Sequence, residues 1–262
     1  MRIQHPLVLL LVTNVLTGCP TVGDILDTDT DTDTDTGPVE ALELAGMWID
    51  NWESLHEISN EAWTTAEDTW TFTSSDNDAR FAIAQNHIDN AYFPGLWSRF
   101  DWTWHQNTWW FCHTAYDAET ETQALETPAA QDAEPSVTGC GEFSWTRLDE
   151  ALEIRGEYTD GENDHNIDEK LWDVGDENRF HLSSYDNTYG FIIAQNDADN
   201  QNNANLWSRL QWVFVSDILY YCHMPVDADS ATSAENATRP DDAEPATTGC
   251  GEQPWTMLNP VQ

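Results

Sequence analysis

The sequence predicts an all-β protein built as two tandem antiparallel β-meander or barrel-like domains, each with one short helix. Three observations carry that prediction. Sliding the chain by 110 residues superposes 41–148 on 151–258 without a gap, and 39 of those 108 positions are identical, so one domain occurs twice. Within each copy Trp, Phe, Tyr, Thr, Ile and Val cluster in short runs between Asn- and Asp-rich turns, which is strand chemistry. Four cysteines stand at matching places, 28 residues apart in each copy, so each unit can close on itself through Cys112–Cys140 and Cys222–Cys250. A zinc site is the competing use of these thiols, but only His113 and His223 lie near enough to complete it.

Residues 1–18 read as a secretory signal: Arg2 supplies the positive start, and 7–12 form an apolar stretch too short to span a bilayer. The stretch ends in Leu16-Thr17-Gly18-Cys19, which resembles the lipobox of bacterial lipoproteins. The resemblance implies that the Cys19 thiol is diacylated, with palmitate-type chains, and becomes the new N-terminus. The protein would then be held by lipid to a membrane on the non-cytoplasmic side, at the outer membrane or cell surface. Two acyl chains make a stable anchor where one does not. An export route also favours disulfides over zinc.

Residues 19–40 read as an acidic, disordered tether. Five Asp-Thr pairs follow one another over 27–36, and like charges at every second residue hold such a chain extended. About 20 residues at roughly 3.3 Å each would reach ~65 Å from the bilayer. The Asp ladder could gather calcium loosely; a solvated spacer is the favoured reading, and no other cofactor or metal is expected. Domains are therefore expected at 41–149 and 150–262. Across the whole chain 48 acidic residues face nine basic ones, for a net charge of −39, which excludes nucleic acid and anionic lipid surfaces as partners.

Inside the copies, 96–105 alternate. Leu96, Ser98, Phe100, Trp102 and Trp104 share the core face, while Trp97, Arg99, Asp101, Thr103 and His105 share a partly polar one. Asp117 and Asp227 are placed to cap helices over 118–126 and 228–237. Identity is poorest over 51–80. There His56, Ile58 and Trp63 match His165, Ile167 and Trp172 at an offset of 109, the mark that compensating one-residue shifts would leave.

Gly46-Met47-Trp48 opens the first copy and Gly156-Glu157-Tyr158 the second. A Gly-x-Trp on the first strand resembles the calycins, the small ligand-binding barrels that include lipocalins and avidins. The resemblance implies an arginine near the last strand, a part Arg147 could take in the first copy, whereas Met257 stands in the second.

Candidate chemistry is sparse. Arg99 and Arg209, two residues after Trp97 and Trp207, could bind a carboxylate ligand; a structural stack or an ion pair with a local Asp is favoured. Trp52 and Trp70 belong to the first copy alone and could form a sugar-stacking platform, whereas Trp104, Trp109 and Trp110 read as larger core residues. Gln85-Asn86 and Asp89-Asn90, with their counterparts Gln195-Asn196 and Asp199-Asn200, end a strand and either cap a turn or face a sugar or calcium. Asp160, Glu162, Asp164 and Asp168 have the spacing of a calcium loop without its glycine or final glutamate. His113 and His223 directly follow bridged cysteines and are expected to cover the bridge. No nucleophile motif, phosphate loop or HExxH occurs. The expectation is a non-catalytic binding module for glycan or another envelope ligand. An acidic structural surface protein (a coat, or a gatherer of cations) is the alternative, and a carboxylate-pair hydrolase a distant one.

Overall fold

The computed structural model describes residues 41–261. The expected signal, the acylated Cys19 and the Asp-Thr tether lie outside the described residues.

Each copy is a closed, eight-stranded antiparallel barrel. In the first, β1 (Gly46–Asp50), β2 (Leu55–Ile58), β3 (Ala62–Thr64), β4 (Thr69–Asp76), β5 (Phe81–Asn86), β6 (Trp97–His105), β7 (Thr108–Ala118) and β8 (Thr146–Glu150) run as a meander, and β8 closes on β1. Helix α1 (Glu121–Glu126) sits in the β7–β8 connection. The second barrel repeats the plan with β9 (Gly156–Thr159), β10 (Asp164–Ile167), β11 (Leu171–Val174), β12 (Asn178–Asp186), β13 (Phe191–Asn196), β14 (Trp207–Val215) and β15 (Ile218–His223). Its long connection holds α2 (Ala231–Glu235) and a small ribbon of β16 (Gly249–Cys250) and β17 (Gln253–Pro254), before β18 (Thr256–Pro260) closes on β9. A sheet closed on itself leaves no edge to pair with another chain.

The strand register explains the weak identity over 51–80. Gly46 faces Ile58 but Gly156 faces Ile167, one residue nearer. Trp63 faces Trp70 but Trp172 faces Phe180, one residue farther. The second copy has one residue fewer in its first turn (β1–β2 in the first copy) and one more in its third (β3–β4), so the two strands between keep their side chains on their faces.

A meander gathers alternate turns at opposite ends. One end is plugged by the segment leading into β1. Leu44 is fully buried there, and Asn77 holds the segment by donating from Nδ2 to Ala41 O and accepting from Glu43 N. Glu43 takes Trp102 Nε1–H at 2.6 Å and Arg80 Nε–H at 3.0 Å. Leu152, Ile154, Asn187 and Glu153 do the same for the second barrel, with Trp212 Nε1 donating to Glu153 at 3.0 Å. Gly46 and Gly156 leave room for the indole of Trp48 and the ring of Tyr158, and Trp48 Nε1 donates to Leu44 O. The opposite end, here the mouth, carries the β1–β2, β3–β4 and β5–β6 turns and the helix-bearing connection.

The core face of β6 is as expected at Ser98, Phe100 and Trp102. Trp104, expected as a core residue, is instead 48% exposed, because it stands at the end of the strand, where it meets Trp109 edge-on. The other face is polar yet equally buried, because α1 and the disulfide-closed loop lie over Arg99, Asp101 and Thr103. Both disulfides form, each with Cα atoms 5.4 Å apart. Closing a loop of this length stabilises by roughly 3–4 kcal/mol in the chain-entropy model. The repeated Gly-Cys pair has a steric cause: at Gly139 (φ +107°) an added Cβ would lie 1.9 Å from Gln131 O, and at Gly249 (φ +103°) 1.8 Å from Asp241 O. Trp145 and Trp255 are buried where they hold the same carbonyls through Nε1.

The helices begin later than the sequence suggests. Asp117 and Ala118 are still strand, and the caps are Thr120 and Ser230, whose side chains accept from Gln123 N and Ser233 N. The hydroxyls win because β7 keeps pairing with β6 as far as Ala118.

Candidate functional site

A polar relay stands just inside each mouth. Asn86, at the end of β5, donates from Nδ2 to Phe93 O and to Tyr116 O, so its Oδ1 faces the barrel and accepts from Ser98 Oγ at 2.6 Å. The Ser98 proton is thereby used, and His113 Nε2, 2.9 Å away, must be the donor to Ser98 Oγ. Asn196, Ser208 and His223 repeat every bond, with 2.6 and 2.8 Å for the last two. Burial pushes both imidazoles down to about 4, so they are neutral at pH 7 and their Nδ1 atoms carry lone pairs. No described residue bonds to either Nδ1.

These histidines do not cover the disulfides, as adjacency to cysteine had suggested. Neighbouring strand residues face opposite ways, so Cys112 and Cys222 turn outward to their bridges while His113 and His223 turn into the barrel. The sequence did carry a signal for the relay: Ser98 and Ser208 are polar, identical, and on the face otherwise made of Leu, Phe and Trp.

The two mouths differ in what covers this relay. In the first barrel His113 stacks on Phe100 at 4.3 Å, with Trp70 edge-on at 5.7 Å and Tyr116 at 5.9 Å; Phe93 closes on Tyr116 at 5.1 Å. In the second, Trp70 is replaced by Phe180, Phe93 by Asn203, Phe100 by Leu210 and Tyr116 by Val226. Every one of these side chains is smaller. They leave a cavity of about 240 Å³, walled by Phe180, Leu210, Val174 and Val226 and floored by His223. Asn178, Asn202 and Asn203 line its polar side, and Tyr221, raised to about 12 by burial and by Asp160, replaces Phe111. Asn196 and Asn200 also line it, but their amides are committed to the frame.

A second buried network is shared. Trp63 Nε1 donates to His56 Nδ1 at 2.9 Å, leaving Nε2–H to face Asp50 at 3.2 Å. Trp172, His165 and Asp160 do the same at 3.0 and 3.2 Å. Both ring nitrogens are engaged, and the Asp carboxylates also cap the first turn of each barrel: Asp50 accepts from Trp52 N and Ser54 N, and Asp160 from Glu162 N and Asn163 N. Burial alone would raise the Asp160 carboxyl, but those N–H donors and His165 outweigh it and hold the group at about 2.

The expected site residues do not converge. Arg99 is buried, forked onto Asp101 at 2.8 Å, stacked over Phe81 at 4.5 Å and bonded to Leu125 O, so it clasps the end of α1 to the sheet. Arg209 stacks over Phe191 at 4.3 Å and bonds Glu235 O, but Gln211 stands where its carboxylate should be, and Arg209 Nε and Gln211 Oε1 are left without partners. Burial and the nearby Arg239 lower its pKa. Trp97 and Trp207 are half-buried on the same outer face. Trp70 is half-buried against the core, and Trp52 is 76% exposed on the β1–β2 turn, so the two make no common platform. Arg147 is exposed and paired with Asp149. Asn90 and Asn200 cap turns, each bonding the backbone of Thr69 or Arg179 in both directions. Asp160 and Asp168 sit at opposite ends of β10, each capping its own turn, so the calcium-loop spacing does not close into one site.

Beside the second mouth, Asp173, Asp176, Glu177, Asp197 and Asp199 ring Arg179. Arg179 is tied to Asp173 at 2.7 Å and His181 to Asp197 at 2.6 Å, and the remaining carboxylates make this rim negative. Among the described residues no group of three His, Cys, Asp or Glu is arranged to hold a metal ion. Comparison with protein-family models, with curated proteins and with solved structures gave no match.

Proposed function

We propose that this chain is a lipid-tethered envelope protein that binds, without catalysis, a small ligand in the mouth of its second barrel. The observation that carries the reading is the cavity of about 240 Å³ that opens there, where the first barrel places the larger Trp70, Phe93, Phe100 and Tyr116. Pockets of known ligands run from about 300 to 1,000 Å³, so this one suits a single ring-sized group, such as one unit of an envelope glycan. Supporting the address are the lipobox-like Leu16-Thr17-Gly18-Cys19, the acidic tether after it, and the two disulfide-closed loops. The filled first barrel favours a second reading for that half, a structural spacer that carries its partner away from the bilayer.

A thermal-shift screen of small fragments on the full chain tests this. Hits should stabilise the protein but not an N203F/V226Y variant, in which the first barrel's own residues fill the mouth. Fragments that stabilise both alike, or none at all, would remove the reading. For the anchor, Cys19→Ala should move the protein from the membrane to the soluble fraction and abolish labelling by palmitate.

A further inference from the structure

We propose that His223 Nδ1 is the hydrogen-bond acceptor for a neutral, ring-sized ligand that brings its own O–H or N–H donor, a neutral monosaccharide unit being the chemical class. The inference rests on the ligand-binding reading above and sharpens it. Its basis is a chain of forced proton assignments. Asn196 spends both amide protons on Asn203 O and Val226 O, so it can only accept from Ser208. Ser208 then has no proton left for His223, whose Nε2 must donate. A neutral imidazole holding its proton on Nε2 presents a bare lone pair at Nδ1. His223 lines the cavity, and no described residue satisfies that lone pair. The His223 ring is half-buried and its Nδ1 opens onto the cavity, so a donor-bearing ligand would take up that acceptor in place of water.

The rest of the lining narrows the class. The cavity walls bear no charged side chain, so an ion seated against them would give up hydration without a partner in the wall itself. Anions are further opposed by Asp173, Asp176, Glu177 and Asp199 on the rim. Asn202 and Asn203 supply amides that both donate and accept, and Phe180 and Leu210 supply apolar faces. Alternating hydroxyls and C–H faces on a ring meet both demands. His113 in the first barrel has the same forced tautomer, but there Tyr116 and Trp70 stand edge-on against its ring where the second barrel has the smaller Val226 and Phe180.

The test uses the full chain labelled with 15N and a panel of methyl glycosides. The panel holds neutral hexoses and N-acetylhexosamines, their deoxy and O-methyl derivatives, and the matching hexuronic acids and hexosamines. Affinity is measured by calorimetry, and the Nδ1 resonance of His223 is followed directly. At least one neutral glycoside should bind and move that resonance upfield while Nε2 stays protonated. Removing or methylating the contacting hydroxyl should weaken binding about tenfold or more, and charged analogues should bind at least tenfold more weakly. An Nδ1 resonance unmoved by a sugar bound in the mouth, or O-methyl derivatives that bind as tightly as the parent, would overturn the donor rule and leave the ligand-binding reading standing. The same holds if mouth-directed fragments bind but no sugar does. If neither fragments nor sugars distinguish the wild type from N203F/V226Y, both fail together.

Discussion

The two barrels share a frame and differ at its openings. The disulfide, Asp–His–Trp network and Asn–Ser–His relay recur bond for bond, and the plug recurs without the Arg80 and Trp48 bonds, although only about a third of the positions are identical. The mouth and the arginine clasp have diverged instead: Phe93, Tyr116 and Trp70 have become Asn203, Val226 and Phe180, and Asp101 has become Gln211. Most of what persists satisfies buried polar groups, where a lost partner costs more than a lost contact; the clasp is the exception, because its change leaves Arg209 Nε and Gln211 Oε1 without partners. Mouth residues answer to no such debt, so they were free to change.

The clasp should show the largest contrast. Asp101→Gln recreates the second barrel's arrangement in the first, leaving Arg99 without its carboxylate. It should cost about 3 kcal/mol, the lower end for breaking a buried ion pair. The reverse change, Gln211→Asp, should stabilise the second barrel by about 1 kcal/mol, because an unpaired buried guanidinium gains a partner. Denaturant unfolding of both variants checks the pair. A neutral Asp101→Gln would mean that the clasp matters in neither barrel.

Acid should treat the barrels alike. Burial holds His113 and His223 at about 4, against roughly 6.5 in an unfolded chain. The native state therefore binds fewer protons between these values. Stability is full above about pH 6.5 and falls as pH drops toward 4, by on the order of 3 kcal/mol per histidine. NMR titration of the two rings should find both neutral down to near pH 4. If only His223 titrated early, the second mouth would be wetter than its relay suggests.

Filling the second mouth should change stability little. N203F/V226Y adds rings that the sister barrel already accommodates, so its unfolding free energy should stay within about 1.5 kcal/mol of the wild type. A larger loss would show that the two frames are not interchangeable at the mouth. Smallest of all is Trp52→Ala: the indole is 76% exposed and absent from the second copy, so the change should stay within about 0.5 kcal/mol and leave ligand affinity unaltered.

Much of this frame was legible before the structure. Period-two alternation placed Phe100 and Trp102 inside, matched cysteines paired correctly, and the 109-residue offset of His56 and Trp63 located the turn shifts. The misses came from tertiary pairing. Helix α1 starts at Thr120 because β7 holds its register to Ala118, which no local capping rule foresees. His113 was assigned to the bridge by sequence adjacency, although strand parity sends it the other way. Arg99 read as either ligand site or clasp until Asp101, two residues on, proved to be its buried partner. The mouth was least legible, since its cavity arises from four side chains on four different elements becoming smaller.

The central claim is that one barrel offers a site and its twin has closed the same one. Calorimetry with a bound neutral glycoside measures it as a stoichiometry across three proteins. The account predicts one site per chain in the wild type, none in N203F/V226Y, and two in W70F/F93N/F100L/Y116V, which gives the first mouth all four of the second mouth's smaller side chains. Equal binding by the wild type and N203F/V226Y would contradict it, because the ligand would then sit somewhere other than the second mouth.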